Sequence, residues 1–130
     1  MATWDDLLGY LHANYKFREE QPGLITLVFD VGEGRSQLVL LSRQVLNGGS
    51  EEWVGISSPF AEVGQVSLQR ALEAAGDLVV GGAGIVGTHV VLKHAVPLAD
   101  MSVDEFERPL MLLMHSADDL ERQIFGGDKY

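Results

Sequence analysis

The clearest chemical motif of the chain is a run of closely spaced glycines. The stretch from Gly82 to Gly87 reads G-x-G-x-x-G, the pattern with which dinucleotide-binding proteins hold a pyrophosphate between a strand and a helix N-terminus. The residues that follow, 88–96, are rich in β-branched side chains and run into Pro97, which is typical of a strand. The sequence therefore predicts a glycine-rich β-hairpin and no cofactor. A small-ligand or nucleotide-binding loop between Gly81 and Gly87 is the alternative.

The histidines and serines form no recognisable catalytic or metal-binding pattern. His89 and His94 differ in parity, so a regular strand points them to opposite faces. His115 stands three residues before Asp118 but lies off the apolar stripe of its segment, which favours a solvated position. Residues 55–59 lack the second glycine of a G-x-S-x-G nucleophile elbow. We therefore predict no catalytic residue, no metal site and no enzyme activity.

The charge balance excludes several classes of partner. The chain has 19 acidic and 9 basic residues, a net charge of −10 at pH 7. Because the basic residues are scattered, they form no stripe that could bind a phosphate backbone or an anionic membrane. The sequence contains no cysteine, which excludes disulfides and thiolate metal sites. Early acids and the lack of a membrane-length apolar run predict a cytoplasmic protein.

Hydrophobic spacing predicts the elements that position these residues. Thr3 caps a first helix that ends near Asn14. Residues 16–20 could add a short leading strand, which the element order given below does not count. Three apolar runs separated by glycine-rich turns then predict an antiparallel meander over residues 24–31, 36–45 and 51–58.

A short middle helix follows a loop at residues 59–65. Ser67 caps this helix, and Gly76 ends it. Its apolar side chains include Leu68, Leu72 and Ala75, which we expect to contribute to self-association.

The last helix has the strongest start signal in the chain. Ser102 and Glu105 form a capping box, and an apolar stripe runs from there to residues 126–127. Pro109 lies past the first turn, which predicts a kink or a break. The resulting order is α-β-β-β-α-β-β-α, which predicts an α+β fold with an antiparallel sheet in a single domain of residues 1–130.

The first two long strands are apolar on both faces, whereas an antiparallel sheet with one face in water should alternate. Something must therefore cover the second face. One alternative is a second copy of the chain or a bound segment of another protein, and the other is that the helices divide themselves between the faces. The first face holds Leu24, Val28, Leu38 and Leu40, and the second holds Ile25, Leu27, Phe29, Val39 and Leu41.

Three aromatic residues could anchor a partner, since aromatic side chains carry much of the energy of interfaces. We expect Trp4 and Trp53 to be core residues. Phe60 lies beside Pro59 in the predicted loop and is the candidate for partner binding.

Three stretches carry a family resemblance: Gly76-Asp77-Leu78, Lys93-His94-Ala95-Val96-Pro97-Leu98, and Ala117-Asp118 leading to Ile124-Phe125-Gly126-Gly127-Asp128. With the element order, they resemble the YbjN family in its actinobacterial form, which is grouped with type III secretion chaperones of the CesT and YopN-chaperone kind. The resemblance implies a curved antiparallel sheet, homodimers, binding of extended segments of client proteins, and no enzymatic activity. We therefore expect a chaperone-like binding module whose partners are a second copy of itself and a protein or peptide client.

Overall fold

The computed structural model describes residues 1–125 and shows an α+β fold. Among these residues there are three α-helices, two single-turn 3-10 helices and six strands, and the α-helices and strands follow the predicted order with the leading strand added. The helices are α1 (Trp4–Asn14), α2 (Leu68–Gly76) and α3 (Val103–Phe125), and the strands are β1 (Arg18–Gln21), β2 (Leu24–Gly32), β3 (Arg35–Leu46), β4 (Glu51–Glu62), β5 (Gly82–Val86) and β6 (His89–Pro97).

All six strands form one antiparallel sheet in the order β1-β2-β3-β4-β6-β5. The first four strands are a meander, in which each strand pairs with the next along the chain. The β5–β6 hairpin joins this meander through the pairing of β6 with β4, which runs from Trp53 and Pro97 to Glu62 and His89. The two edges of the sheet are therefore β1 and β5.

The three helices cover one face of this sheet. A single core cluster contains residues of all three helices, among them Leu7, Ala71 and Leu110, together with Ile25 and Leu92 of the sheet. Complete burial of a leucine or isoleucine side chain contributes about 1.5–3 kcal/mol each. The alternative in which the helices divide themselves between the two faces is therefore wrong. No helix of residues 1–125 is both long enough and apolar enough to cross a membrane.

The predicted helix caps are present at both ends of the chain. Thr3 Oγ1 accepts a hydrogen bond from Asp6 N at 3.2 Å, and Asp6 Oδ2 accepts one from Thr3 N at 3.2 Å. Ser102 and Glu105 make the same reciprocal pair at 3.1 and 3.0 Å. The backbone N–H of Ser102 lowers the pKa of Glu105, and that of Ala2 lowers the pKa of Asp6. Both helices therefore begin where the sequence predicts.

The loop predicted at residues 59–65 is wrong in its first half. Pro59 continues β4 and pairs with Val91, and the ladder shifts register between Pro59 and Ala61. Because proline has no N–H, it fits a central strand only at such an irregularity. Gln37 Nε2 donates to the carbonyl oxygen of Pro59 at 2.8 Å, which satisfies a buried acceptor at this position.

Of the kink or break predicted at Pro109, the break is wrong. The helix is continuous through Pro109. Proline removes the N–H that would bond to the carbonyl oxygen of Glu105, but Glu105 is exposed in the first turn. Water can therefore satisfy that oxygen, and the helix continues. The predicted helix end at residues 126–127 lies outside the described residues.

Candidate functional site

The glycine-rich segment is a β-hairpin, as predicted. β5 and β6 pair up to Val86 and His89, and Gly87 and Thr88 join them. Gly87 has a φ of 60°, a conformation that glycine adopts without the steric penalty of a Cβ atom. Because a strand follows the turn, this segment lacks the helix N-terminus on which a pyrophosphate cradle depends.

The pairing register determines which backbone groups of β5 are free. Val86 and His89 flank a two-residue turn, so they form a hydrogen-bonded pair, and such pairs alternate along an antiparallel ladder. Gly84 therefore bonds to β6, whereas the N–H and C=O groups of Ala83 and Ile85 point away from the sheet. An additional strand can bond to both residues, because β5 is an edge within the described chain.

An apolar groove of about 260 Å³ lies beside this edge, between α2 and β5. Leu72 is 61% exposed and Ile85 is 54% exposed. Large exposed apolar side chains that are contiguous are typical of interaction surfaces. The free backbone groups of β5 thus belong to residues whose side chains face the groove. The lining consists of Leu68, Ala71, Leu72, Ala83, Gly84, Ile85 and Val90.

The structure separates the three α2 residues predicted for self-association. Leu68 and Leu72 are exposed and line the groove. Ala75 is 5% exposed and packs in the core beside Ala71. Two of the three side chains are therefore accessible to a partner, whereas Ala75 holds the helix against the sheet.

Phe60 is not an exposed anchor, because β4 continues through it and turns its side chain inward. Its side chain is fully buried in the core cluster. Trp4 is a core residue, as predicted. Trp53 is only half-buried, and its Nε1 donates to Glu51 Oε1 at 3.4 Å, so its assignment to the core is wrong. The accessible surface beside β5 is therefore built from aliphatic side chains.

The opposite edge of the sheet, β1, is charged. Its sequence is Arg-Glu-Glu-Gln, and all four residues are exposed. Arg18 Nε lies 3.4 Å from Glu20 Oε1, which also accepts a hydrogen bond from Thr26 Oγ1 at 3.2 Å. Short, charged edge strands resist the addition of another strand. Of the two edges, β5 is therefore the one suited to binding.

The sheet face opposite the helices is a second candidate surface, which we call the open face. Leu24, Leu38 and Leu40 are half-buried there, and Val28 is 64% exposed. These four side chains lie outside the core cluster formed by the described residues. A depression of about 520 Å³ lies on this face. We define the centre of the open face as Leu24, Thr26, Val28, Leu38, Leu40, Ser42, Gly55, Ser57, Val91, Lys93 and Ala95.

The centre of the open face contains no acidic residue, although the chain has 19 of them. Its one charged residue is Lys93, which pairs with Ser57 on β4 and Gly82 on β5. A Cβ atom at Gly84 would lie 2.9 Å from Lys93 Cδ, so this glycine leaves room for the lysine side chain. Within the described chain, Lys93 forms no ion pair.

A buried ion network is the feature that sequence reasoning missed. Arg35 Nη2 lies 2.9 Å from Asp118 Oδ1 and 3.4 Å from Glu121 Oε1. Arg122 Nε lies 3.2 Å from Asp118 Oδ2. Asp118 and Glu121 are 3% and 0% exposed, so the network fixes the C-terminal half of α3 to the start of β3. The available signal was the presence of two acidic residues on the apolar stripe of a helix.

His115 does not join Asp118 in a metal-binding arrangement. His115 is exposed, whereas Asp118 is turned to Arg35, so the predicted spacing does not bring the two groups together. The described residues contain no group of three or more side chains that could hold a metal ion. Searches found no matching family model and no matching curated protein. The β5 edge and the open face are therefore the two surfaces from which function can be argued.

Proposed function

We propose that this chain is a non-enzymatic, chaperone-like binding module that forms a homodimer and holds a segment of another protein. The observation that carries the proposal is the β5 edge, where free backbone groups adjoin exposed aliphatic side chains. Ala83 and Ile85 supply the backbone groups, and Leu68 and Leu72 supply much of the apolar surface. Strand addition to such an edge combines main-chain hydrogen bonds with side-chain contacts.

The register of β5 favours a symmetric arrangement of two copies. When β5 pairs antiparallel with β5 of a second copy and the pair is centred on Gly84, Ala83 of each copy lies opposite Ile85 of the other. This register uses the free N–H and C=O groups of both residues in each copy, as a two-fold interface requires. Because β5 has no charged residue, the two strands bring no acidic side chains face to face despite a net charge of −10 per chain.

Client binding is the second part of the proposal. A dimer joined at β5 keeps the open faces of both sheets accessible, and their exposed aliphatic residues are suited to a protein segment. This arrangement agrees with what the resemblance to the YbjN family and the secretion chaperones implies. A cysteine-free, acidic sequence fits a cytoplasmic place of action, which we include in the proposal.

Sedimentation velocity tests the dimer with two matched leucine substitutions. Wild-type protein should sediment with twice the chain mass of 14.2 kDa. Leu72→Glu places a charge in the groove and should give a monomer, whereas Leu112→Glu on α3, 37% exposed, should remain dimeric. A wild-type monomer, or equal effects of the two substitutions, would refute the dimer at α2 and β5. Thermal stabilisation by a nucleotide, lost in Gly84→Val, would support the small-ligand alternative.

A further inference from the structure

The open face has backbone chemistry different from that of the β5 edge. Within a sheet, N–H and C=O groups lie in the plane of the strands and bond to neighbouring strands. A strand laid across the open face would therefore find no backbone partner there and would leave its own polar groups unsatisfied. A helix satisfies its backbone internally, and helices already cover the other face of this sheet.

The side chains of the open face determine what such a helix must present. One row of paired residues runs across the sheet from Thr26 through Leu40 and Ser57 to Lys93. The aliphatic side chains at the β2 and β3 end favour an apolar stripe. Ser57 and, in the next row, Ala95 are small and let a helix approach the sheet closely at β4 and β6, whereas the side chains of Gln44 and Ser42 cover Gly55.

Lys93 gives this surface its charge preference. It is exposed, forms no ion pair within the described chain, and has no acidic neighbour in the centre of the open face. The centre of the open face of a second copy would have no carboxylate for Lys93, because it has the same composition. The carboxylates at its margin already have partners, since Arg18 and Thr26 contact Glu20 and the Gly32 N–H donates to Asp30. Charge complementarity thus favours a different protein that carries an acidic residue.

We infer that the open face binds an amphipathic helix of a partner protein, with an Asp or Glu within its apolar stripe that pairs with Lys93. The inference rests on the proposed protein-binding function and names the client site and its chemistry. The helix lies on the sheet face, covers Leu24, Leu38 and Leu40, and places its carboxylate over the β6 strand. It completes a second helical layer on the sheet, which is the usual way in which an apolar sheet face is buried.

Three synthetic helical peptides of about 18 residues, roughly five turns, test this inference. They share one apolar stripe and differ at its central position, which is Glu, Gln or Lys. Fluorescence anisotropy with the full chain should show the Glu peptide binding roughly fivefold more tightly than the Gln peptide, as expected for a partly exposed ion pair. Amide shifts of isotope-labelled protein should centre on Leu40, Ser57 and Lys93.

Charge reversal at Lys93 provides the specificity test. Lys93→Glu should invert the order, so that the Lys peptide binds most tightly, and Lys93→Gln should make the three peptides equal. Arg108→Glu makes the same charge change at an exposed position on α3 and should keep the wild-type order. A preference for the Glu peptide that survives Lys93→Glu, or amide shifts confined to β5, would overturn the inference.

Two further outcomes distinguish this inference from a small-ligand site and from the proposed dimer. If sodium dodecanoate gives Lys93-dependent shifts and no peptide binds, the site takes a small amphiphilic acid and the helix proposal is wrong. If no probe binds while sedimentation shows a dimer that Leu72→Glu dissociates, the open-face inference fails and the self-association in the proposed function stands.

Discussion

The two edges of one sheet present opposite surfaces to solvent. β1 has three charged residues in four positions, and Arg18 and Glu20 pair with each other along the strand. β5 has two glycines, one alanine and two exposed aliphatic residues, Ile85 and Val86. Both strands are short and end an antiparallel ladder. They differ mainly in side chains, and the β1 ladder also has a register shift between Glu19 and Gln21.

This difference shows how an acidic chain can control where it associates. Every edge strand offers unpaired backbone groups, so association is limited by what surrounds those groups. At β1 an added strand would have to desolvate charged side chains. At β5 it would bury Leu68, Leu72 and Ile85, whose exposure costs free energy in the isolated chain. The comparison predicts that charge, and not hydrogen-bonding capacity, distinguishes the edges.

The largest effect is expected in the buried ion network, where a substitution should change stability and leave association at the edges unchanged. Asp118→Ala leaves Arg35 buried without its closest carboxylate, which should lower the free energy of unfolding by about 3 kcal/mol. Urea denaturation followed by tryptophan fluorescence measures this loss. The folded fraction should keep the wild-type association, since the network lies away from both edges. A stability change below about 1 kcal/mol would contradict the role assigned to the network.

The second largest effect is expected from a substitution that gives the β5 edge a charge, as β1 has. Ile85→Lys requires a charge to be buried on association, so the dimer should weaken by about 2 kcal/mol, roughly thirtyfold in dissociation constant. Glu19→Lys on β1 is the matched control, because Glu19 is an exposed edge residue, and it should leave the constant unchanged. Sedimentation equilibrium measures both variants. Equal weakening would show that the edges do not differ as described.

A smaller effect is expected from the reverse change. Arg18→Val combined with Glu20→Val removes the ion pair and leaves Glu19 as the one charged residue of β1, and it adds β-branched side chains. The altered edge should then pair with another copy, with a gain of about 1 kcal/mol per added strand pair. Light scattering at increasing concentration should show masses above that of the dimer. A mass that stays constant would mean that the backbone of β1 is itself unsuited to pairing.

The smallest effect is expected from Glu105 in the capping box of α3, where a substitution should change stability and leave dimerisation unchanged. The backbone N–H of Ser102 holds the pKa of Glu105 below its usual value of 4.5, so the charged form stabilises the folded state. That contribution is complete above pH 4.5 and is lost as the pH falls through the lowered value. Wild type should therefore exceed Glu105→Gln in denaturation midpoint at neutral pH, and this advantage should shrink in acid. Both proteins should dimerise equally at neutral pH.

The sequence predicted the elements that local patterns control. The reciprocal bonds of Ser102 and Glu105 and the strand after Gly87 depend on neighbouring residues, and their patterns were sufficient. The bulge at Pro59 depends on Gln37, which is distant in sequence, so the loop prediction failed there. Phe60 was consequently misplaced.

The candidate surfaces show the same division. The apolar character of both faces was readable from the lack of residue alternation in β2 and β3, and the β5–β6 hairpin was readable from the β-branched residues after Gly87. The side of the sheet on which the helices pack was not, because it depends on tertiary contacts. The pairing of Arg35 with Asp118 joins residues 83 positions apart, and no periodicity reports such a contact. That Lys93 has no acidic residue beside it in the centre of the open face likewise depends on which strands pair, and the sequence alone does not show this.

The attachment of the β5–β6 hairpin has a consequence for synthesis of the chain. β4 is 12 residues long, and β6, its second neighbour in the sheet, begins 27 residues after β4 ends, beyond α2. While the ribosome extends the chain, one side of β4 remains a long, unpaired strand edge that could pair with other nascent chains. This edge is covered only when β6 pairs with β4, and the shorter strand β5 then becomes the edge of the sheet. The proposed pairing at β5 therefore becomes possible only after β6 has covered the long edge of β4.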